Sequence, residues 1–340
     1  MIVNDNAIIF HIDVNSAYLS WSALRELQNG STQDLRTIPS IVGGDQETRH
    51  GIVVAKSIPA KVFGIQTAET VASAFQKCPT LVMVPPDHAY YRDMSQKLMR
   101  HLRSICDEIE QVSIDECYMD YTPIAANYVS PEEAAAFIRH SVFEKFKFTV
   151  NVGISDRKVL AKMASDFEKP DKTHTLYQRE IAQKMWPLPV SALFTCGHSS
   201  AETLHKLGIL TIGDLAKTDP AILEAHLKSH GRCLWQYANG IDDSTVVLAP
   251  SKAKGIGNST TLSSDATTKE EACKVLLSLC ESVGRRLRAS HQLAGQICTE
   301  IRYSDFRNVS HQMPIDIPTA SVNLLYEDAC ALFDELWDST

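Results

Sequence analysis

Apolar and polar positions fall into three successive rhythms along the chain. Residues 7–13, AIIFHID, are a continuous apolar run ending on an acid, which predicts a strand. Residues 16–27 then place Ala17, Trp21 and Leu24 at helical spacing. TIPSIVGG (37–44) and GIVVAKSIPAKVFGI (51–65) predict short strands, a helical turn and turn-forming glycines. A helix is expected around Tyr90–Ile109, leading into VSIDECYMD (112–120), which alternates like a strand. Ser130, Pro131 and Glu133 open the next helix as cap, first residue and capping-box partner, and FTVNVGIS (148–155) follows as a strand. Residues 7–177 thus alternate strand and helix around a sheet.

From about 177 to 243 the pattern changes to short helices, and DDSTVVLAPSKAKG reads as a linker. Beyond it the spacing predicts a strand at 256–263, a helix at 268–290, strands at 295–304 and 308–316, and a helix at 320–337. There is no internal repeat and no low-complexity tract. At 340 residues the chain exceeds one ordinary core, and two to four modules are expected.

The candidate chemistry is acidic. Asp13 closes one strand, and Asp115-Glu116 sit in the middle of another. Burying such a pair costs several kcal/mol unless a cation meets it. Successive strand residues face opposite ways, so both acids reach one site only where the backbone turns or bulges. Three carboxylates at a sheet edge suit Mg²⁺, a hard cation that keeps waters and bridges substrate phosphates. Spacing alone leaves a second reading open, with Asp13 capping the helix and the pair solvated at a hairpin.

Composition bounds this picture. The net charge of −8 argues mildly against nucleic acid, but its distribution is uneven. Residues 252–307 hold nine Lys or Arg against six acids, whereas 312–340 hold six acids and no Lys or Arg. Nine cysteines without a C-x-x-C argue against a zinc site and for a reducing, cytoplasmic setting. No apolar run approaches the roughly 20 residues that span a bilayer, and the N-terminus lacks a signal-peptide layout.

HIDVNSAYLSW, VSIDECYMD and GISDRKVLAKMASDFEKPDKTH resemble three ordered motifs of the Y-family (translesion) DNA polymerases. SSAETLHKLGILTIGDL resembles their helix-hairpin-helix thumb, and KGIGNSTTL the opening of their little finger. The likeness covers nearly the whole chain and is greatest to the bacterial DinB-like branch, in a form like those of Gram-positive bacteria. It implies an α+β multidomain fold, a right hand with a ferredoxin-like palm. Palm would be 1–17 and 87–176, fingers 18–86, thumb 177–243, linker 244–254 and little finger 255–340. The implied activity is template-directed addition of deoxynucleotides to a primer 3′-end, at low fidelity, without proofreading and with lesion bypass.

The same resemblance implies roles by position. Asp13 and Asp115 would bind two Mg²⁺ ions (Mn²⁺ a possible substitute), Glu116 would complete the primer-side site, and the Val14 carbonyl would serve the nucleotide-side ion. Tyr18 would be the steric gate against ribonucleotides, and Lys61 and Lys169 would neutralise the triphosphate. Gly197 in the thumb turn and Arg285, Arg286 and Arg288 in the little finger would contact DNA. Three positions depart from the family pattern: Asn15 replaces a second aspartate, Ile58 and Lys61 replace an aromatic and an arginine, and Thr195 replaces the first glycine of the thumb turn. Implied partners are primer–template DNA, the incoming dNTP and a sliding clamp reached through a C-terminal tail, with a monomeric chain and no membrane.

Other features carry less. His226 and His230 are one helical turn apart and could chelate a metal, but a third ligand is lacking. The predicted little finger ends one strand short of the family's β-α-β-β-α-β order, which leads us to expect a C-terminally shortened chain with Ile256–Leu262 beside the absent strand. Two competing functions remain at this level, a nucleotidyl-cyclase-like palm enzyme and a non-catalytic DNA-binding protein of the same fold.

Overall fold

The structure is a computed structural model that describes residues 7–45, 51–249 and 253–337. Its strands are β1 (Ile9–Val14), β2 (Ser40–Gly43), β3 (Val53–Lys56), β4 (Val82–Val84), β5 (Ile109–Gln111), β6 (Glu116–Asp120), β7 (Val150–Ser155), β8 (Thr173–Thr175), β9 (Ala294–Arg302) and β10 (Asn308–Thr319). Its helices are α1 (Ala17–Gln28), α2 (Ile58–Val62), α3 (Val71–Lys77), α4 (His88–Arg103), α5 (Pro131–Phe146) and α6 (Lys158–Ser165). They continue as α7 (Ile181–Lys184), α8 (His198–Lys206), α9 (Ile212–Lys217), α10 (Pro220–Ala238), α11 (Lys269–Ala289) and α12 (Val322–Leu336). The chain divides into two compact units, residues 1–44 with 52–250, and 45–51 with 251–340.

In the first unit, β5-β6-β1-β7-β8 form one sheet, with β1 antiparallel to both β6 and β7. β1 and β7 are buried at every position, which accounts for an apolar run without alternation. Phe10 and Ile12 point to a core shared with Tyr91, Leu98, Ile138 and Val142 of α4 and α5. Ile9, His11 and Asp13 face the other way, toward α6. That helix lies unusually close because Gly153 sits beneath it: a Cβ there would stand 2.0 Å from the Ala161 carbonyl oxygen and 2.5 Å from the Ser165 nitrogen. The outer face of α6 (Val159, Leu160, Met163) belongs to a separate helical core with Leu204, Ile212, Leu215, Leu223 and Leu234. A small third core (Ile41, Val53, Ala60, Val71, Leu81) lies around the β3-β2-β4 sheet.

In the second unit, α11 and α12 cover one face of the antiparallel β9–β10 pair, with Cys280, Leu287, Leu325 and Ala329 at the centre. Inward Ile297, Thr299 and Ile301 alternate with exposed Cys298, Glu300 and Arg302.

Several expectations need correction. Residues 112–120 are not one strand: β5 ends at Gln111, β6 starts at Glu116, and a tight turn lies between. α4 stops at Arg103, short of Ile109. Residues 256–263 form no strand; no ladder partner lies beside them, and Arg286 Nη1 donates to the Gly257 carbonyl at 2.5 Å instead. The start of the expected linker is pinned to the sheet, since Lys158 donates to the Thr245 carbonyl and the Val247 N–H to Glu110. Its residues 250–252, and the last residues 338–340, lie outside the described ones. The Ser130 cap holds as expected, its hydroxyl accepting from the Glu133 N–H while Glu133 reaches back to the Val129 N–H.

Candidate active site

Register brings the acids together. Asp13 at the end of β1 is directly opposite Glu116 at the start of β6. Asp115 joins them because the chain turns just before β6: the Val112 and Ser113 N–H groups both donate to the Glu116 carbonyl, at 3.1 and 3.3 Å. The Ser113 hydroxyl donates to Asp115 Oδ1 (2.6 Å) and accepts from the Glu116 N–H (3.1 Å). The Val14 N–H donates to the Asp115 carbonyl at 3.0 Å, tying the turn to β1. This is the backbone bend that two adjacent carboxylates need in order to share a site.

Two lysines, Lys162 on α6 and Lys169 just beyond it, meet two of the acids. Lys162 Nζ donates to Glu116 Oε2 at 2.9 Å, and Lys169 donates to both Asp13 and Asp166. Burial lowers the pKa of both lysines, but the acids raise it by more: Asp166, Asp13 and Glu116 for Lys162, and Asp13 and Asp166 for Lys169. Glu116 is held down to about 2 by the His11 ring and then by Lys162, against its burial. The Lys162 bond is the better formed. His11 Nε2 lies 3.3 Å from Glu116 Oε2 but off the line of a good hydrogen bond, and the buried ring stays mostly uncharged because desolvation lowers its pKa. His11 Nδ1 lies 2.8 Å from the Ser165 hydroxyl, which itself donates to the Lys162 carbonyl.

Asp115 is different. Among the described residues no cation pairs with it, and burial together with Asp13 and Glu116 pushes its carboxyl pKa up despite the Ser113 bond. A divalent cation would relieve that burden. No group of three or more acids, His or Cys among the described residues stands ready-made at metal-holding distances. The donor set still fits Mg²⁺, which draws part of its shell from water and substrate phosphates and needs no all-protein cage.

Asn15 is fitted to its surroundings. Its Nδ2 donates to Asn151 Oδ1 at 3.0 Å, while its Oδ1 accepts from Thr149 Oγ1 and the Asp171 N–H. An aspartate here would oppose two oxygens across a buried contact. Asn151 in turn donates to the Ser165 and Glu168 carbonyls, and so fixes the approach to Lys169.

Tyr18 stacks on Tyr91, ring centroids 4.6 Å apart, and burial followed by the Asp115 charge raises its pKa. It therefore lies close enough to Asp115 to feel its charge. Lys61 is exposed on α2, where its charge joins burial in lowering the pKa of Lys56, and no contact ties it to the acids. Ile58 opens that helix, half exposed. Thr195 holds φ at 68°, the left-handed region a glycine would take freely, so the turn keeps its shape at some strain. Gly197 caps α8 with no side-chain bond to the helix amides, and a Cβ there would meet nothing within 4 Å. Arg286 and Arg288 are engaged by the Gly257 and Ala320 carbonyls, whereas Arg285 is exposed with no partner among the described residues. The His226–His230 pair fails as a chelate: Lys228, at φ 56° and ψ −142°, kinks α10 between them, and His226 Nδ1 bonds the Ile222 carbonyl.

Sequence reasoning missed His11, Ser113, Lys162, Asn151 and Gly153. His11 did carry a signal, being the one polar residue inside AIIFHID, two positions before Asp13 and so on its face.

A buried mixed sheet with acids at the ends of two adjacent inner strands, a close helix with lysines on and just beyond it, and a separate helical core is the arrangement of the Y-family DNA polymerase fold. The structure matches that of a chimeric Y-family DNA polymerase with a TM-score of 0.83 at 22% identity, covering 97% of this chain and 93% of the other. The chain belongs to the impB/mucB/samB family, whose model matches residues 12–166 and whose C-terminal-domain model matches 253–340. It is 47% identical over 332 residues to a DNA polymerase IV of Clostridium acetobutylicum, covering 97% of this chain and 83% of that protein. It is 36% identical over 336 residues to DNA polymerase IV 1 of Bacillus subtilis, covering 97% and 78%. No helix among the described residues is long and apolar enough to cross a membrane.

Proposed function

We propose that the protein is a template-directed DNA polymerase of the lesion-bypass type. The observation that carries this reading is the in-register pair Asp13–Glu116 with Asp115 bent in beside it and lacking a cation of the protein's own. Relatives named DNA polymerase IV, matched along nearly the whole chain, support it. The match over 253–340 speaks against a bare cyclase-like palm.

Asp13 and Asp115 would hold two Mg²⁺ ions, with Glu116 and the Val14 carbonyl completing the two shells. When bound, the ions supply Lewis-acid stabilisation of the attacking and leaving oxygens of a phosphoryl transfer. The protein's own part is placement. Ser113 fixes the Asp115 rotamer, Lys162 and His11 bracket Glu116, and Lys169 brings a positive charge to Asp13, within reach of an incoming triphosphate. Tyr18, locked by its stack on Tyr91, stands against the sugar edge and excludes a 2′-hydroxyl. The strained turn at 195–197, the open amides of α8 and the uncovered face of β9–β10 take the DNA backbone without reading sequence.

Primer extension tests the reading. Asp13→Ala, Asp115→Ala and Glu116→Ala should each abolish extension, an effect of at least several kcal/mol on the barrier, with DNA binding largely kept. Extension by Glu116→Ala at near the parental rate would remove the metal assignment. Tyr18→Ala should raise ribonucleotide insertion relative to deoxynucleotide insertion. An unchanged ratio returns Tyr18 to a packing role.

A further inference from the structure

Among the nine cysteines, Cys273 on α11 and Cys330 on α12 are set apart by geometry. Their sulfurs lie 4.0 Å apart although 57 residues separate them in sequence. Both side chains are partly exposed, so a small reagent can reach them. The two helices are antiparallel here: Lys269 pairs with Asp334 at 2.6 Å one turn outward, and Gly284 lies against Val322 further along. The pair is thus clamped on both sides within one compact unit. A disulfide needs the sulfurs at about 2.0 Å, a closure of roughly 1 Å by each, within the reach of side-chain rotation. Cys280, about two turns along α11 and buried, is the competing partner for Cys330.

We propose that Cys273 and Cys330 are a reversible dithiol–disulfide site, oxidised by low-molecular-weight disulfides of the glutathione class, that staples α11 to α12. The Cys330 thiolate attacks one sulfur of the reagent disulfide, forming a mixed disulfide and expelling one reagent thiolate. The Cys273 thiolate then attacks the Cys330 sulfur, and the second reagent thiol leaves. Two protein thiols are oxidised, one reagent disulfide is reduced to two thiols, and the two protons released from the cysteines are taken up by the departing thiolates. Burial and the Cys330 sulfur raise the Cys273 thiol pKa, which assigns it the second, intramolecular attack, where proximity offsets a low thiolate fraction. The staple closes a loop that contains β9, β10, most of α11 and the first part of α12, so it restrains unfolding of this unit.

The test uses the full chain, incubated across a range of reduced-to-oxidised glutathione ratios, alkylated, and digested without reduction. A peptide linking 273 to 330 is expected. Exposed Cys298 reports, through its own glutathione adduct, that the reagent was active. Cys273→Ser should lose the cross-link entirely and trap glutathione on Cys330. Oxidation should raise the melting temperature of the parent and leave that of Cys273→Ser unchanged. Modification of Cys298 with no 273–330 peptide at any ratio overturns the proposal, and so does a cross-link that runs to Cys280 instead.

Discussion

The sheet of the first unit and the sheet of the second bury their side chains in opposite ways. β1 and β7 are covered on both faces, by α4 and α5 on one side and by α6 on the other. β9 and β10 are covered on one face only, and their outward residues, such as Ile317 at 77% exposure, meet solvent. In the first sheet an atom added at Gly153 collides with helix backbone, and that tightness holds the Lys162-bearing helix against the carboxylates. In the second, the free face meets solvent and accepts substitution. Placement of chemistry and presentation of an open face thus make different demands on packing.

Glycine exposes the contrast most sharply. Gly153→Ala should destabilise the protein by about 3 kcal/mol or more, the upper end for overpacking, because the new methyl meets helix backbone and not a movable side chain. Extension should fall with it, since α6 must retreat and take Lys162 and Ser165 along. Chemical denaturation beside primer extension checks both, and parental stability would show that the helix has slack. Next in size is an acid effect confined to the first sheet. Glu116 titrates near 2 in the folded chain against an ordinary 4.5, so the unfolded chain takes up the proton first. Its contribution is complete above about pH 4.5 and disappears as the pH falls toward 2. Unfolding measured with a chelator present should show this loss in the parent and a flatter profile in Glu116→Gln. The smallest effect belongs to the second sheet. Gly295→Ala, with nothing within 4 Å of the new methyl, should change stability by no more than about 0.5–1 kcal/mol, in the stabilising direction. A loss comparable to that of Gly153→Ala would erase the distinction between the sheets.

Element types were legible in the sequence wherever periodicity was strong, as in β1, α5, α11 and α12. Asp13, Asp115 and Glu116 were legible as a possible cluster, and the need for a bend between the last two followed from strand geometry alone. What supports them was not. Lys162 looks like any lysine until α6 is placed on the sheet, Lys169 was singled out only by the family resemblance, and Gly153 reveals its role only through the atoms above it. The strand expected at 256–263 failed for a related reason: Ser-Thr-Thr spacing indicates extended backbone, but a ladder requires a neighbour that local pattern does not supply. The kink at Lys228, by contrast, falls where the pattern of short helices breaks, between Leu227 and Gly231.

The double membership of α6 sets a mechanical tolerance. One side of this eight-residue helix rests on β7 and carries the Lys162 ammonium, while the other is built into the helical core. From that other side Met163 Sδ accepts the Phe194 N–H at 3.3 Å, immediately before the strained turn at Thr195. Acids and turn are therefore gauged from a single short rod, and errors in their spacing do not accumulate through a series of loops. With no gap above Gly153, the rod has no play against the sheet, so the distance from the acids to the turn at Thr195 is machined into one part.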